Sequence, residues 1–205
     1  MRMTKTLLAV TVFFILLGAG SLPARASGNV LAERSKGKPD APIVVKEYSS
    51  LTCSHCGDFF IKTLPELEKK YVETGKVRFV FLDFPLNGID LKASAVAHCM
   101  PKDQYFPFVS TLYKNIEQWA LAENPEQTLI QYAKLGGLDE EKARACIRNT
   151  KLLDSFVAQR SEASQKYDIK ATPTFIINDG KEKLEGARSV KDFSDAFDKL
   201  LTEKK

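Results

Sequence analysis

The chain has 205 residues, of which 30 are basic and 26 acidic, for a net charge of +4. That length suits one domain with a substantial core, or one domain carrying an insertion. Residues 1–26 hold three basic residues (Arg2, Lys5, Arg25) and no acidic one, so their removal leaves only +1. The remaining charges of both signs are interspersed, an ordinary solvated surface that makes no electrostatic case for nucleic acid or an anionic membrane.

The first segment reads as a secretory signal. Leu7 to Gly20 is an uncharged, mostly apolar run of 14 residues behind a basic start, followed by Ala24-Arg25-Ala26. Small residues at 24 and 26 occupy the positions that signal peptidase inspects, so cleavage after Ala26 and export to the periplasm are expected. The run is short for a bilayer span, which needs about 20 residues, and an uncleaved anchor is the alternative. Residues 27–42 are polar, with Gly37, Pro39 and Pro42, and read as a flexible lead-in.

Ile43–Tyr48 (IVVKEY) is β-branched and aromatic enough for a strand. A turn through Ser49, Ser50 and Thr52 leads into a helix carrying Phe59, Phe60, Leu64, Leu67 and Tyr71. Pro65 is expected to kink it and Gly75 to end it. Val77–Leu82 (VRFVFL) reads as a buried strand. The period then becomes helical: Tyr105, Phe108, Val109, Leu112, Tyr113 and Ile116 follow i, i+3, i+4, i+7 spacing. Asn124-Pro125-Glu126 looks like a helix start, and Leu152, Leu153, Phe156, Val157 and Tyr167 mark a further amphipathic helix. Thr174–Asn178 (TFIIN) returns to strand, Asp179-Gly180 turns a hairpin toward Lys183–Glu185, and Ser189 with Asp192 caps a last helix. The class is therefore α/β: a small sheet formed by 43–87 and 168–205, interrupted by an all-helical insertion at 88–167. Two unrelated modules in series are less consistent with it, since neither flank has strands enough for a sheet of its own.

Chemistry concentrates at Cys53-Ser54-His55-Cys56, where the first strand meets its helix. A sulfur at a helix N-terminus faces unpaired amide hydrogens and the positive end of the helix dipole, which favour thiolate over thiol. Cysteines so placed titrate at about 3.5–7.5 instead of about 8.5. Cys53 is the expected nucleophile, and Cys56, one turn inside, the partner that resolves a mixed disulfide. His55, when protonated, adds a positive neighbour; an exposed His without a role is the plainer reading. A structural disulfide or a copper or zinc site through the same two cysteines are the other uses of this spacing. Thr172-Pro173 stands immediately before the third strand, where a proline suits a strand start; base rates alone make it a trans turn proline. Cys99 and Cys146 lie in apolar helical stretches, either bridged or as two buried thiols. A bridge would close a loop of about 48 residues, worth roughly 4 kcal/mol in the chain-entropy model. His98 beside Cys99 fits no usual zinc spacing and reads as a satisfied helix histidine.

An exported chain with a strand-to-helix CxHC, a helical insertion and Thr-Pro before the returning strand resembles the DsbA family, over residues 39–204. The resemblance implies a thioredoxin-like fold with a helical insertion domain, a redox disulfide between Cys53 and Cys56, and a cis Pro173 facing it, with Thr172 and Pro173 binding substrate. It also implies a structural disulfide between Cys99 and Cys146, as in alphaproteobacterial-type members, and a proton-relaying buried acid at Glu47, which by itself reads as a solvent-facing strand residue. The implied activity is disulfide donation to reduced exported proteins, with electrons passed to a membrane quinone reductase such as DsbB. No cofactor, metal or nucleic acid is expected, and a monomer is. Two departures, Ser54 where well-known members have Pro and Thr172 where they often have Val, point to weaker oxidising power and keep a disulfide isomerase or reductase in view. A metal chaperone is the rival from another class.

Overall fold

Three β-branched and aromatic segments and two short polar ones pair into a five-stranded sheet in a computed structural model, which describes residues 31–203. The expected signal over residues 1–26 lies outside the described residues. The strands are β1 (Arg34–Lys36), β2 (Ile43–Ser49), β3 (Val77–Asp83), β4 (Thr174–Ile177) and β5 (Glu182–Glu185), in spatial order β1-β3-β2-β4-β5. Only β2 and β3 are parallel; the other neighbours are antiparallel.

β1 corrects the expectation of a flexible lead-in over 27–42. Its sequence, Arg-Ser-Lys, has no apolar alternation, so nothing local marks it as a strand. Partners far along the chain hold it. Arg34 donates to the His98 carbonyl at 3.0 Å and lies over the Tyr105 ring, while Lys36 pairs with Glu68 at 2.6 Å. A short basic strand is also a common way to blunt a sheet edge.

The connection from β2 to β3 is one helical run with two wide turns: α1 (Ser54–Asp58), a π-helical turn (Phe59–Thr63), α2 (Leu64–Leu67) and a second π-helical turn (Glu68–Val72). Pro65 has no amide to donate backward, and the widened turn before it accommodates the missing bond. Six helices then separate β3 from β4: α3 (Gly88–Cys99), α4 (Tyr105–Lys114), α5 (Ile116–Ala120), α6 (Pro125–Leu135), α7 (Glu140–Ile147) and α8 (Thr150–Tyr167). The periodic run toward Ile116 is broken at Asn115, and Trp119 folds back to donate from Nε1 to the Leu112 carbonyl at 3.0 Å. Val157, expected on the apolar face of α8, is instead 54% exposed, because Leu152, Phe156 and Ala163 form the buried stripe. Ala93 to Ala97 of α3 are buried in unbroken succession, and these small side chains let α6, α7 and α8 pack around that helix. Cys99 at its end is joined by a disulfide to Cys146 of α7, with Cα atoms 6.5 Å apart. α9 (Val190–Thr202) closes the fold, and Ser189 and Asp192 form the expected capping box.

Register decides the core. Val45 and Glu47 of β2 stand opposite Phe79 and Phe81 of β3 and Ile177 and Phe175 of β4, so all six share one face. Phe59 covers it, 4.5 Å from the Phe175 ring and 5.4 Å from Phe193 of α9. Each such buried aromatic contributes roughly 1.5–3 kcal/mol. Glu47 is the one ionisable side chain of these six. The opposite face, with Tyr48, Thr174 and Ile176, is covered at one end by α8.

Candidate active site

Cys53 is the N-cap of α1. Its backbone is still extended (φ −94°, ψ 116°), and its carbonyl accepts from the Gly57 amide at 3.1 Å. The side chain is half-buried, whereas Cys56, one turn on, is fully buried; both are free thiols. The Cys53 thiol is pulled from 9.0 down to about 5, chiefly by a hydrogen bond from the Cys56 thiol, opposed by burial and helped by the Thr172 side chain and the amides of Cys56 and His55. Burial pushes Cys56 the other way, well above 9.0. The two sulfurs of one motif are thus made chemically unequal. One is a thiolate at neutral pH, and the other is a reserve thiol.

Residues 119 positions along the chain complete the site. The Thr172–Pro173 bond is cis, and in its thiol form Cys53 donates to the Thr172 carbonyl at 3.4 Å. Thr172 is buried; its side chain lies against the two sulfurs and lowers both, though its hydroxyl makes no well-formed hydrogen bond, and the Pro173 carbonyl accepts from Gly186 at 2.8 Å. His55 is exposed in the first turn of α1, where its backbone amide serves Cys53.

Glu47 lies under this surface in the central strand. It is 0% exposed and neither carboxylate oxygen has a well-formed hydrogen bond, so burial, only partly offset by the nearby Ser49 side chain, pushes it from 4.5 up to about 8. The solvent-facing alternative fails because both adjacent strands present Phe at its register. Tyr113 of α4 is pushed up by burial and by the charges of Cys56 and Glu47. A Cβ at Gly57 would come within 3.3 Å of the Tyr113 ring, so glycine after Cys56 lets α4 sit against the motif helix. A groove of about 370 Å³ opens beside this contact, lined in part by Ser54, Ile61, Tyr113 and Ile116.

Residues 30–199 match a family model described as Thioredoxin. The crystal structure of Wolbachia pipientis alpha-DsbA1 is 34% identical, covers 89% of this chain and 94% of its own, and superposes with a TM-score of 0.75. The chain belongs to the DsbA-like thioredoxin family. Its α/β fold is accordingly thioredoxin-like, with the helical segments of DsbA structures. BdbD from Bacillus subtilis, 20% identical, shares the fold over 82% of this chain and 92% of its own, with a TM-score of 0.68. A Rickettsia bellii protein named as a protein-disulfide oxidoreductase is 29% identical over 170 residues, 82% of this chain but 64% of the relative. The DsbA-like chain thus spans under two thirds of the length of the first curated relatives it matches.

Sequence reasoning passed over two residues of this DsbA-like site, Ser50 and Asp90. The Ser50 amide donates to Cys56 Sγ at 3.5 Å, and its hydroxyl donates to the buried Asp90 carboxylate at 2.6 Å. Asp90 reads locally as an ordinary acid in the first turn of α3, with its amide capped by Asn87, and nothing local ties it to position 50. His98 is held by partners other than the dithiol. Its Nε2 is 2.8 Å from Asp83 Oδ2, and its ring meets the edges of Tyr105 and Phe156. Among the described residues, no group of three or more His, Cys, Asp or Glu is placed to hold a metal ion.

Proposed function

We propose that this chain is an extracytoplasmic thiol–disulfide oxidoreductase that introduces disulfides into reduced exported proteins through Cys53 and Cys56. The observation that carries the reading is the inequality of the two thiols: Cys53 held near 5 at the mouth of the site, and Cys56 buried and held high. A low value stabilises the reduced enzyme, and a stable reduced form makes its disulfide a strong acceptor of electrons.

Catalysis begins with the Cys53–Cys56 disulfide. A substrate thiolate attacks Cys53 Sγ, a mixed disulfide forms, and Cys56 leaves with the bonding electrons and takes a proton. A second substrate thiolate attacks the substrate sulfur of that mixed disulfide, forms the product disulfide and releases Cys53 as thiolate. Two electrons pass from substrate to enzyme. Attack by Cys56 on the mixed disulfide is the escape route that restores the oxidised enzyme. Glu47, held near 8 beneath the site, suits a relay for the proton of Cys56. The Thr172 and Pro173 backbone and the groove at Ser54, Ile61 and Tyr113 would hold an extended substrate segment. His55 tunes Cys53, Cys99–Cys146 braces the helical insertion at 88–167, and a DsbB-like membrane quinone reductase reoxidises the pair. Export rests on residues 1–26.

The deciding experiment equilibrates the purified protein against graded glutathione and reads the Cys53–Cys56 redox state, with Cys99 and Cys146 followed separately. A potential toward about −120 mV supports disulfide donation, whereas one near about −270 mV overturns the direction and makes the chain a reductase or isomerase. Stoichiometric copper or zinc after anaerobic purification, with no turnover on a reduced protein, would overturn the enzymatic reading.

A further inference from the structure

The exchange just described uses neither buried aspartate: Asp83 pairs with His98, and Asp90 is left without a task. Asp90, in the first turn of α3, is 0% exposed. Its Oδ2 accepts from the Ser50 hydroxyl at 2.6 Å and from the Leu86 amide at 2.8 Å, and its Oδ1 accepts from the Leu51 amide at 2.9 Å. Two of these donors belong to the three-residue loop that delivers Cys53 from β2. That loop is gripped further by contacts around the same point. The Thr52 amide donates to Ser50 Oγ at 3.2 Å, the Ser50 and Thr52 hydroxyls lie 3.1 Å apart, and Asn87 donates to Thr52 Oγ1 at 3.2 Å. Ser50 faces two ways: its hydroxyl is held by Asp90, and its amide donates to Cys56 Sγ at 3.5 Å.

We propose that Asp90 is a positioning residue for the dithiol: by clamping Ser50 and Leu51 it holds the Ser50 amide against Cys56 Sγ and stabilises the charge that Cys56 carries while the Cys53–Cys56 bond opens or closes. The inference rests on Cys53–Cys56 being the exchanging pair. When an external thiolate attacks Cys53, the new sulfur–sulfur bond forms as the old one breaks, and the electron pair of the old bond goes to Cys56. That sulfur is buried where a bare thiolate is costly, and the Ser50 amide offsets part of that cost, beside the Thr172 side chain. A carboxylate does the clamping because three donors converge on two oxygens, and a charged acceptor holds them more tightly than a neutral one. Burial pushes Asp90 only to about 6, so at neutral pH it is the carboxylate that accepts all three. A residue in α3, the first helix after β3, thereby sets the chemistry at the start of α1.

The test compares wild type, Asp90→Asn and Ser50→Ala. Asparagine keeps the shape but turns one accepting oxygen into a donor facing a donor. Ser50→Ala keeps the Ser50-position amide and removes the hydroxyl grip. The first readout is the rate at which dithiothreitol opens the Cys53–Cys56 disulfide, followed by acid quench, alkylation and mass spectrometry. The second is the pH profile of Cys53 alkylation, with and without Asp90→Asn, in a Cys56→Ala background, where no Cys56 charge exists. Asp90→Asn should slow opening roughly tenfold, the size of one lost hydrogen bond to a charged group, and Ser50→Ala should slow it less. The Cys53 profile should not move. Opening within twofold of wild type in both variants would overturn the proposal, as would an equal loss in both readouts, which would mark general damage to the loop. If Asp90→Asn does not fold, Ser50→Ala decides by the same criteria. A wild-type protein whose Cys53–Cys56 bond does not open at all would overturn the exchange reading itself.

Discussion

Glu47→Gln makes a demanding test of how this site is built. Glu47 sits in the central strand between Phe81 and Phe175, fully buried, with no well-formed hydrogen bond and only the nearby Ser49 side chain to offset its burial. Its acid form is favoured in the fold, with the pKa raised from 4.5 to about 8. Between those values the unfolded chain has released the proton while the folded chain keeps it. The unfolded state then binds fewer protons, so this group's contribution to stability is complete below 4.5 and is lost as pH rises through 8. At about 1.4 kcal/mol per pH unit the whole window is worth roughly 5 kcal/mol, an upper bound because a hydrated or relaxed site would lower it. Glutamine cannot ionise. Its unpaired amide carries a cost of its own, but that cost is the same at every pH. The stability of Glu47→Gln relative to its parent should therefore climb steadily from pH 5 to pH 8 and level off above. Urea unfolding at pH 5, 6, 7 and 8, in a Cys53→Ala/Cys56→Ala background so that thiol titration contributes nothing, measures that slope. Parallel curves would refute the reasoning, since they would mean that Glu47 ionises in the fold as easily as in water.

Cys53 should be alkylated by iodoacetamide with a pH midpoint near 5 in the reduced protein, and a midpoint near 9 would remove the stabilised thiolate. Cys56→Ala should accumulate mixed disulfides with exported proteins through Cys53; non-reducing gels that show none would sink the resolving role of Cys56. Replacing Cys99 and Cys146 together by Ala releases a loop closed across 47 positions, and should cost roughly 4 kcal/mol in urea unfolding. A loss below about 1 kcal/mol would reject that entropic account. Asp83→Ala leaves His98 Nε2 buried without its partner, and should lower stability by about 1–3 kcal/mol while leaving the Cys53 alkylation profile unchanged.

Local chemistry made much of this protein readable from its residues alone. The strand-to-helix placement of Cys53-Ser54-His55-Cys56, the capping box at Ser189 and Asp192, the hairpin after β4 and the helical period from Tyr105 each depend on neighbours within about four positions, and sequence displays such neighbours directly. β1 escaped because Arg-Ser-Lys forms a strand only through partners at 79–81, 98 and 105. The break at Asn115 and the exposure of Val157 escaped because packing chose which part of each periodic face to cover. Pro173 could be placed before its strand, but its cis bond, facing a cysteine 120 positions earlier, is a property of the assembled site. Glu47 looks locally like any alternating strand residue, and only the pairing of β2 between β3 and β4 puts phenylalanine on both sides of it. Asp90 looks like a helix-start acid until the fold brings Ser50 and Leu51 to its oxygens. Sequence by itself thus determined which residues could do the chemistry. Tertiary structure decided their burial, and with it their charge, because desolvation is set by whatever distant segments the fold packs against them.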